Sequence, residues 1–279
     1  MSLSLSSFTR AYAGINRNMW LMASAMFINR CGGMVLLFMS VYLTGHMKFS
    51  IPQAGVVMAM FGTGSLVGAF IGGKLVDKIG FYPVLIWSLL LSGTMLLLLG
   101  QMQSYWLIAI FTFLVTATGD AFRPANSASI STYASQENYP RAIALNRLAM
   151  NLGFTIGPVL GGLLASLNYK LIFVADGLTC IAAGLFIYFV LPAPAPLEMN
   201  TEQAKSIKNT NKQVALDGSP YRDKFYLFFL LFTALYATTF FQFLTSLPLY
   251  YKLSFHLNEK HIGWLMAFNG IGVSVIEMF

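Results

Sequence analysis

Several ionisable side chains lie inside long apolar segments of this chain, and their types and positions suit ion or solute binding. The four that stand out are Arg30, Asp120, Arg123 and Glu277. A charged side chain at the centre of a membrane helix costs about 2.5–3.5 kcal/mol in insertion measurements, so such residues usually mark functional pathways. We therefore expect these four residues to line a pathway for protons or for a small solute.

Arg30 is the most deeply placed of these residues. It lies about 11 residues into the first apolar segment, which is roughly 16 Å deep at 1.5 Å per residue and too deep for easy contact with the interface. One interpretation is a cavity residue that binds an anionic group or changes the proton affinity of a nearby carboxylate. The other is a structural ion pair with an acid on a neighbouring helix.

Asp120 and Arg123 are three residues apart, so they share one face of a helix. Asp120 lies roughly 22 Å from the start of its segment, and it is expected to reach Arg30 if the two segments are neighbours. A partly desolvated carboxylate beside a movable cation can take up and release a proton as the cation comes and goes. The alternative is a fixed Asp120–Arg123 ion pair near the interface, which is the interpretation that we prefer for Arg123.

Two further acids lie in apolar segments. Glu277 has no cation near it in sequence and is a second candidate proton carrier, whereas Asp176 lies close to the end of its segment, where we expect it to face water or Lys170. No nucleophile–base pair, metal-ligand cluster or nucleotide-binding loop stands out. We therefore predict neither an enzyme nor a cofactor.

The composition indicates a membrane protein. Of the 279 residues, 57% are hydrophobic and 10% are charged, whereas soluble domains carry about 25% charged residues. The net charge is +7, but the basic residues are dispersed between apolar runs, which favours topology signals over a nucleic-acid partner. Cys31 and Cys180 both lie in apolar segments, so neither a disulfide framework nor a metal site is expected.

Eight apolar segments have the length of about 20 residues that a bilayer requires. We predict membrane spans at 19–43, 52–75, 83–101, 105–126, 143–167, 171–191, 225–247 and 262–279. With the N-terminus in the cytoplasm, eleven Lys and Arg residues fall in inner segments and four in outer ones, namely Lys48, Lys170, Lys252 and Lys260. This bias predicts a multi-pass protein of the plasma (inner) membrane with a cytoplasmic N-terminus.

Small residues recur every four positions in the fifth predicted span, which contains the stretch NLGFTIGPVLGG. Gly153, Gly157 and Gly161 form one stripe on a helix, and Pro158 and Gly162 lie beside it. In lipid, such a stripe lets a second helix approach backbone to backbone, and Pro158 is expected to bend or soften its helix. A stripe at the same spacing occurs in the second span, at Gly64, Gly68 and Gly72.

The connection between the second and third spans reads GKLVDKIGFYP. Its glycines, Gly73 and Gly80, predict a tight turn that also contains Asp77 and Lys78. The Asp77 carboxylate is placed to accept hydrogen bonds from free N–H groups at a helix N-terminus elsewhere in the protein. Such a contact would latch one conformation.

These two stretches resemble signatures of the major facilitator superfamily. The fifth-span stretch is similar to the motif G-x-x-x-G-P-x-x-G-G of its drug:proton antiporters, and the connection resembles the loop signature G-x-L-x-D-[RK]-x-G. In the family two basic residues follow that loop signature, whereas Phe81 and Tyr82 follow it here. The alternative interpretation of both stretches is structural: a close-packed helix pair and an ordinary polar turn.

The resemblance implies an all-α major facilitator fold. A six-helix N-terminal bundle is expected over 1–191, a cytoplasmic linker over 192–224 and the start of a C-terminal bundle over 225–279. Glycine stripes in the second and fifth spans suit the inverted repeats of that fold. Because the superfamily has twelve spans, we expect a chain that is truncated after its eighth.

The same resemblance implies an activity. We expect a monomeric secondary transporter in the lipid bilayer that exchanges protons for small amphipathic compounds by alternating access, without a cofactor. One alternative is a proton symporter that imports a small nutrient, for example an anion bound by Arg30. The other is a fragment that does not transport, or a membrane assembly partner.

Overall fold

The computed structural model describes residues 14–193 and 223–277, with side chains described up to residue 272, and this part of the chain contains helices and no strands. The helices are Arg17–Cys31, Val35–Val41, Ile51–Ile79, Phe81–Leu99, Tyr105–Gly119, Phe122–Tyr133, Tyr139–Leu167, Tyr169–Val190, Lys224–Ser254 and Glu259–Glu277, and Tyr42–His46 is a π-helical turn. Within the described residues, seven helical stretches are long and apolar enough to cross a membrane. They correspond to the first seven predicted spans, and Glu259–Glu277, called the eighth helix here, overlaps the last.

The first span is broken, which the sequence did not predict. Helix Arg17–Cys31 ends at Gly32, and a new helix starts at Val35. Adjacent glycines at positions 32 and 33 weaken a helix, since each interior glycine costs roughly 1 kcal/mol relative to alanine. The first span therefore consists of two helical pieces and the π-helical turn, and it extends to His46 instead of the predicted residue 43.

The fourth span is also broken, between Gly119 and Phe122. Pro124 explains the position of this break, because a proline clashes with the carbonyl group four residues earlier, here that of Asp120. The helix that follows continues to Tyr133, so the fourth span is longer than the predicted 105–126. Asp120 thus lies at the junction of two helical pieces.

Sequence signals at the helix ends agree with the observed boundaries. Ser50 and Gln53 form a capping box at the start of the second span, which satisfies two N–H groups that a helix start leaves free. That span ends at Gly80, whose φ of 83° lies in the region that glycine tolerates best. Gly80 is the single residue between the second and third spans, so a tight turn is present there. Gly73, Asp77 and Lys78, which were predicted to lie in the turn, belong instead to the helix Ile51–Ile79.

The two halves of the six-span bundle match each other in element lengths. The first and fourth spans both break after a helix of 15 residues. The second and fifth spans both have 29 residues and a proline at the second helical position. These agreements fit two related three-span repeats, which is the organisation that the shared glycine stripes suggested.

Glycine stripes bring helix backbones together in two of the span pairs. In the second span, a Cβ added at Gly68 would lie 2.5 Å from the carbonyl oxygen of Ala117 in the fourth span. In the fifth span, a Cβ added at Gly153 would lie 2.5 Å from the Cβ of Arg30 in the first. In two related three-span repeats, span one corresponds to span four and span two corresponds to span five. The contact between spans two and four therefore corresponds to the contact between spans five and one.

The third and sixth spans form a third glycine contact. A Cβ added at Gly93 would lie 2.6 Å from the carbonyl oxygen of Gly177, and one added at Gly177 would lie 2.9 Å from that of Gly93. Spans three and six correspond to each other in the two repeats, so this contact is its own counterpart. All three contacts therefore follow one pattern, in which close helix pairs join the two repeats.

The chain divides into two compact units, Met1–Pro192 with Thr245–Phe279, and Ala193–Leu244. In the first unit, a core of apolar side chains is drawn from the first, third, fourth, fifth and sixth spans, for example Met22, Leu85, Phe122, Leu145 and Ile187. Large apolar side chains also cover its outside. All four tryptophans of the chain are exposed, by 43%, 60%, 69% and 60% at Trp20, Trp87, Trp106 and Trp264, as expected for a lipid-facing surface.

Candidate functional site

Asp176 occupies the break in the first span. It lies seven residues after the start of the sixth span at Tyr169, or roughly 10 Å along the helix. Its Oδ2 accepts a hydrogen bond of 3.1 Å from the backbone N–H of Val35, the first residue of the second helical piece. The side chain is buried, with 6% of the residue exposed. The expectation that Asp176 faces water or Lys170 is therefore wrong.

The close approach of the first and sixth spans depends on Gly32. A Cβ added there would collide with the side chain of Thr179 and lie 3.1 Å from Oδ1 of Asp176. Cys180 approaches the same oxygen, with its Sγ 3.8 Å away, and Asn29 donates to that sulfur over 3.4 Å. Side chains and backbone from both spans thus surround the carboxylate.

Arg30 lies on the same broken span, on the side that meets the fifth span. Its guanidinium carbon is 5.4 Å from the ring centroid of Phe154, a distance suited to a cation–π contact. Its Nε is buried and has no hydrogen-bond partner among the described residues. Arg30 also lies within electrostatic range of Asp120 and Asp176, yet in the described part of the chain it forms an ion pair with neither.

Asp120 and Arg123 form an ion pair, with Arg123 Nε donating to Asp120 Oδ1 over 2.7 Å. The side chain of Arg123 is 53% exposed and that of Asp120 is 15% exposed. The preferred interpretation of Arg123, as the partner of Asp120, matches this geometry. The pair lies at the break in the fourth span, from which its two charges act on Arg30.

Glu277 is the last residue of the eighth helix, and its side chain lies outside the described residues. Its role as a proton carrier therefore stays a prediction. Most of the predicted cytoplasmic linker, residues 194–222, also lies outside the described part of the chain.

The latch residues predicted between the second and third spans lie on the surface. Asp77 and Lys78 are exposed, and in the described part of the chain Asp77 makes no hydrogen bond or ion pair. A Cβ added at Gly73 would meet nothing within 4 Å. The latch role stays a prediction, because its expected partner is a helix of the second half.

The aromatic residues that replace the expected basic pair hold the end of the sixth span. Phe81 contacts Tyr133 edge to face, with ring centroids 5.6 Å apart. Tyr82 donates to the carbonyl oxygen of Leu191 over 3.0 Å, and Tyr133 donates to that of Pro192 over 2.8 Å. This end of the bundle is therefore held by apolar packing and neutral hydrogen bonds instead of by basic side chains.

The fifth-span glycines contact two different neighbours. Gly153, Gly157 and Gly161 meet the first span, where added Cβ atoms would lie 2.5 Å, 3.3 Å and 3.0 Å from Arg30 or Met34 atoms. Gly162 meets the eighth helix instead, because its added Cβ would lie 2.5 Å from the carbonyl oxygen of Glu259. Pro158 also faces the eighth helix, where its carbonyl oxygen touches the position of an added Cβ at Gly263.

A polar cluster lies at the same end of the eighth helix. The Glu259 Oε1 accepts hydrogen bonds from the Tyr169 hydroxyl over 2.6 Å and from the Lys252 ammonium over 2.8 Å. The Tyr169 ring also contacts Tyr42 and His46 at the end of the first span, with ring centroids 5.6 Å and 5.5 Å apart. We call these five residues the outer cluster, because the sequence predicts that this end faces outward.

The electrostatics of the outer cluster favour an ionised Glu259, which precedes the predicted eighth span. Burial raises the pKa of its carboxyl, but the hydrogen bonds from Lys252 and Tyr169 outweigh burial and hold that pKa below its ordinary value. Sequence reasoning assigned Lys252 to an outer loop and missed the cluster. Its members are far apart in the chain, so only the helix packing reveals it.

Comparison with known proteins places these features in a family. A family model described as Major Facilitator Superfamily matches residues 22–279, a range that contains the break in the first span, both glycine stripes and the eighth helix.

Individual relatives are more distant. The chain is 26% identical over 147 residues to the multidrug resistance protein MdtG of Citrobacter koseri, an alignment that covers 52% of this chain and 35% of that protein. It is 27% identical over 150 residues to MdtG of Dickeya zeae, covering 53% of this chain and 37% of the relative. The alignments thus span little more than a third of the length of these relatives.

Proposed function

Because this chain belongs to the major facilitator superfamily, we propose that the complete protein is a secondary transporter that exports small amphipathic compounds in exchange for protons. The observation that carries the proposal is the position of Arg30, within electrostatic range of Asp120 and Asp176 and paired with neither in the described part of the chain. An unpaired cation between two acids can stabilise either carboxylate as helices move. Such an arrangement suits proton uptake on one side and release on the other.

The fifth-span motif supports the alternating-access part of the proposal. Its glycines and Pro158 bring the fifth span against both the first span and the eighth helix, and the eighth helix belongs to the expected second half. Closing two halves against each other at one end is what alternating access requires. The names of the MdtG relatives also favour a multidrug substrate class.

The remaining assignments belong to the same proposal. The N-terminus lies in the cytoplasm of a cell whose plasma membrane holds the protein, and the protein works as a monomer. The 73–80 connection latches one conformation, with Asp77 as its acceptor. Asp120 and Glu277 carry protons, and Arg30 and Arg123 modulate the charge of Asp120.

A proton symporter for a small anionic nutrient is the second candidate. It is favoured by the buried Arg30 Nε, which has no hydrogen-bond partner among the described residues and would suit an anionic group. A fragment that does not transport is the third, and it predicts no flux in either direction.

Flux measurements in proteoliposomes separate these candidates. With the chain reconstituted, antiport predicts that ethidium accumulates when the lumen is made acidic, and that an ionophore abolishes the accumulation. Symport predicts instead that an anionic solute accumulates when the outside is acidic. Absence of both would rule out transport by this chain.

Two matched variants test the coupling residue. Asp120→Asn should remove gradient-driven accumulation while membrane insertion is kept, because the carboxylate is the group that takes up the proton. Asp223→Asn makes the same substitution outside the bundle, where the Asp223 side-chain oxygen accepts a hydrogen bond from the Phe225 N–H. This variant should transport normally. Full gradient dependence in Asp120→Asn would contradict the assignment.

A further inference from the structure

The carboxylate of Asp176 is hydrogen-bonded to the first span at the break between its two helical pieces. The turn at Gly32–Met34 separates two helical pieces, and the second piece begins at Val35, whose N–H donates to Asp176. The N–H groups at a helix start have no partner within the helix. Asp176 supplies that partner from a different span, so the hydrogen bond links the position of the second piece to the sixth span.

The charge on Asp176 has little compensation in this position. The residue is 6% exposed, and no cation of the described residues lies within ion-pair distance of it. A buried carboxylate without a paired charge is costly, and it becomes neutral when its remaining partners withdraw. The hydrogen-bond donors to the carboxylate are the Val35 N–H of the first span and the Cys180 thiol of the sixth.

The ionisable groups around Asp176 come from several spans. Arg30 of the first span and Cys180 of the sixth act on it directly. Asp120 and Arg123 of the fourth span act on Arg30. In the third span, Tyr82 lies at the far end, where it bonds Leu191. The ionisable side chains of the fifth span are Tyr139, Arg141 and Arg147, all within its first nine residues.

We propose that Asp176 is a proton-carrying residue of the transport cycle, ionised while it caps the second piece of the first span and protonated when that piece moves away. This inference rests on the proposed proton-coupled transport. When the Val35 N–H leaves, a hydronium ion transfers its proton to the carboxylate, which forms an O–H bond there and leaves a water molecule. When the N–H returns, that bond breaks and the proton passes back to water on the other side.

The position also explains how the movement and the charge are coupled. Protonation makes Asp176 a weaker hydrogen-bond acceptor for the Val35 N–H, so the second piece of the first span is released. In the chain, Cys31 precedes Val35, and the outer cluster residues Tyr42 and His46 follow it. A shift of this piece therefore changes the first span both beside Arg30 and at the end that contacts Tyr169.

Infrared difference spectroscopy on the full chain in lipid nanodiscs tests proton binding. Across the pH range of the flux assay, the wild type should show a protonated-carboxyl band that grows as pH falls. The part of this band that belongs to Asp176 should be absent in Asp176→Asn and present in the control Asp223→Asn, which lies outside the bundle. Asp176→Glu, which keeps a titratable group, should shift the band, and it provides a reading even if Asp176→Asn fails to insert.

Flux measurements complete the test. Asp176→Asn should lose the pH dependence of ethidium accumulation, and Asp176→Glu should keep it. A structural role would lower the amount of inserted protein without changing the pH profile of what remains.

An unchanged band in Asp176→Asn, or wild-type pH dependence of its flux, would overturn the inference. If the wild type shows no gradient-driven flux although the Asp176 band titrates, the proposed transport function fails and proton binding by Asp176 is supported.

Discussion

At the scale of single residues, two tyrosine hydroxyls bind the end of the sixth span near the positions where basic residues were expected. Tyr82 and Tyr133 each donate to a backbone carbonyl where the sixth span ends, at Leu191 and Pro192. A carbonyl at a helix end has no partner within the helix. These tyrosines therefore fix the exit of the chain from the bundle without adding charge.

Tyr82→Phe should lower the free energy of unfolding by about 1 kcal/mol, the net contribution of a typical hydrogen bond. The reason is that the Leu191 carbonyl would lose its donor. Tyr188→Phe is the matched control, because that side chain is 59% exposed. Denaturant unfolding of the detergent-purified chain measures the free energy of unfolding of both variants. An equal decrease in the two variants would contradict the role of the Tyr82 hydroxyl.

Single residues also show where sequence reasoning succeeded and where it failed. The Asp120–Arg123 pair follows from a spacing of three on one helix, so it was predictable. Asp176 was expected to face water because it lies close to the end of its segment. That expectation is valid only if the neighbouring helix is intact. The break at Gly32 brings backbone N–H groups to that depth, and a count along one helix cannot detect a break in another.

At the scale of elements, glycine spacing predicted helix contacts correctly, because a stripe without side chains has one physical use in lipid. It did not identify the partners. The second-span stripe meets the fourth span, whereas the fifth-span glycines divide between the first span and the eighth helix. Partner choice depends on the packing of the whole bundle, which a local pattern does not contain.

Gly68→Ala should destabilise the bundle by about 1–3 kcal/mol, the usual cost of overpacking. The added Cβ would lie 2.5 Å from the Ala117 carbonyl oxygen, and backbone atoms cannot move aside as a side chain end can. Gly62→Ala, on the same helix, adds a Cβ that meets nothing within 4 Å, and it should be neutral or stabilising. Thermal unfolding in detergent compares them, and similar midpoints would show that the contact tolerates a methyl group.

At the scale of the whole molecule, the eighth helix and the six-span bundle belong to one compact unit. The contacts between them include the backbone approach at Pro158, Gly162 and Gly263, and the outer cluster around Glu259. In the proposed transport cycle, both must separate when the site opens at this end.

Gly263→Ala should displace the eighth helix from the fifth span, because its Cβ would collide with the Pro158 carbonyl oxygen. We expect a longer distance between spin labels on the two helices and a larger population of open molecules. Gly272→Ala, on the same helix, meets nothing within 4 Å and should leave the distance unchanged. Identical distance distributions in the two variants would contradict the prediction.

Glu259→Gln should lower the unfolding free energy by about 1 kcal/mol, since a charge-assisted hydrogen bond to Lys252 is lost and its partners are partly exposed. The folded-state pKa of Glu259 is lowered from an ordinary value of 4.5, so its ionised form stabilises the fold. That contribution is complete above about pH 4.5 and is lost as the pH falls through the lower folded-state pKa.

Unfolding measured against pH in wild type and Glu259→Gln checks this sign. The difference between the two should be constant near neutral pH and should shrink in acid. Glu137→Gln, at an exposed position in the connection after the fourth span, is the control. A difference that grows as the pH falls would show that burial, and not the Lys252 contact, decides the charge of Glu259.

The fluorescence of the four exposed tryptophans can report how deeply each part of the molecule lies in the bilayer. Trp20, Trp87, Trp106 and Trp264 are exposed on four different helices, so bromine atoms at chosen depths of the acyl chains would quench each indole according to its own depth. Variants that keep one indole each would give a depth map of the bundle without any attached dye. The same measurement would reveal a tilt of the eighth helix through Trp264 alone.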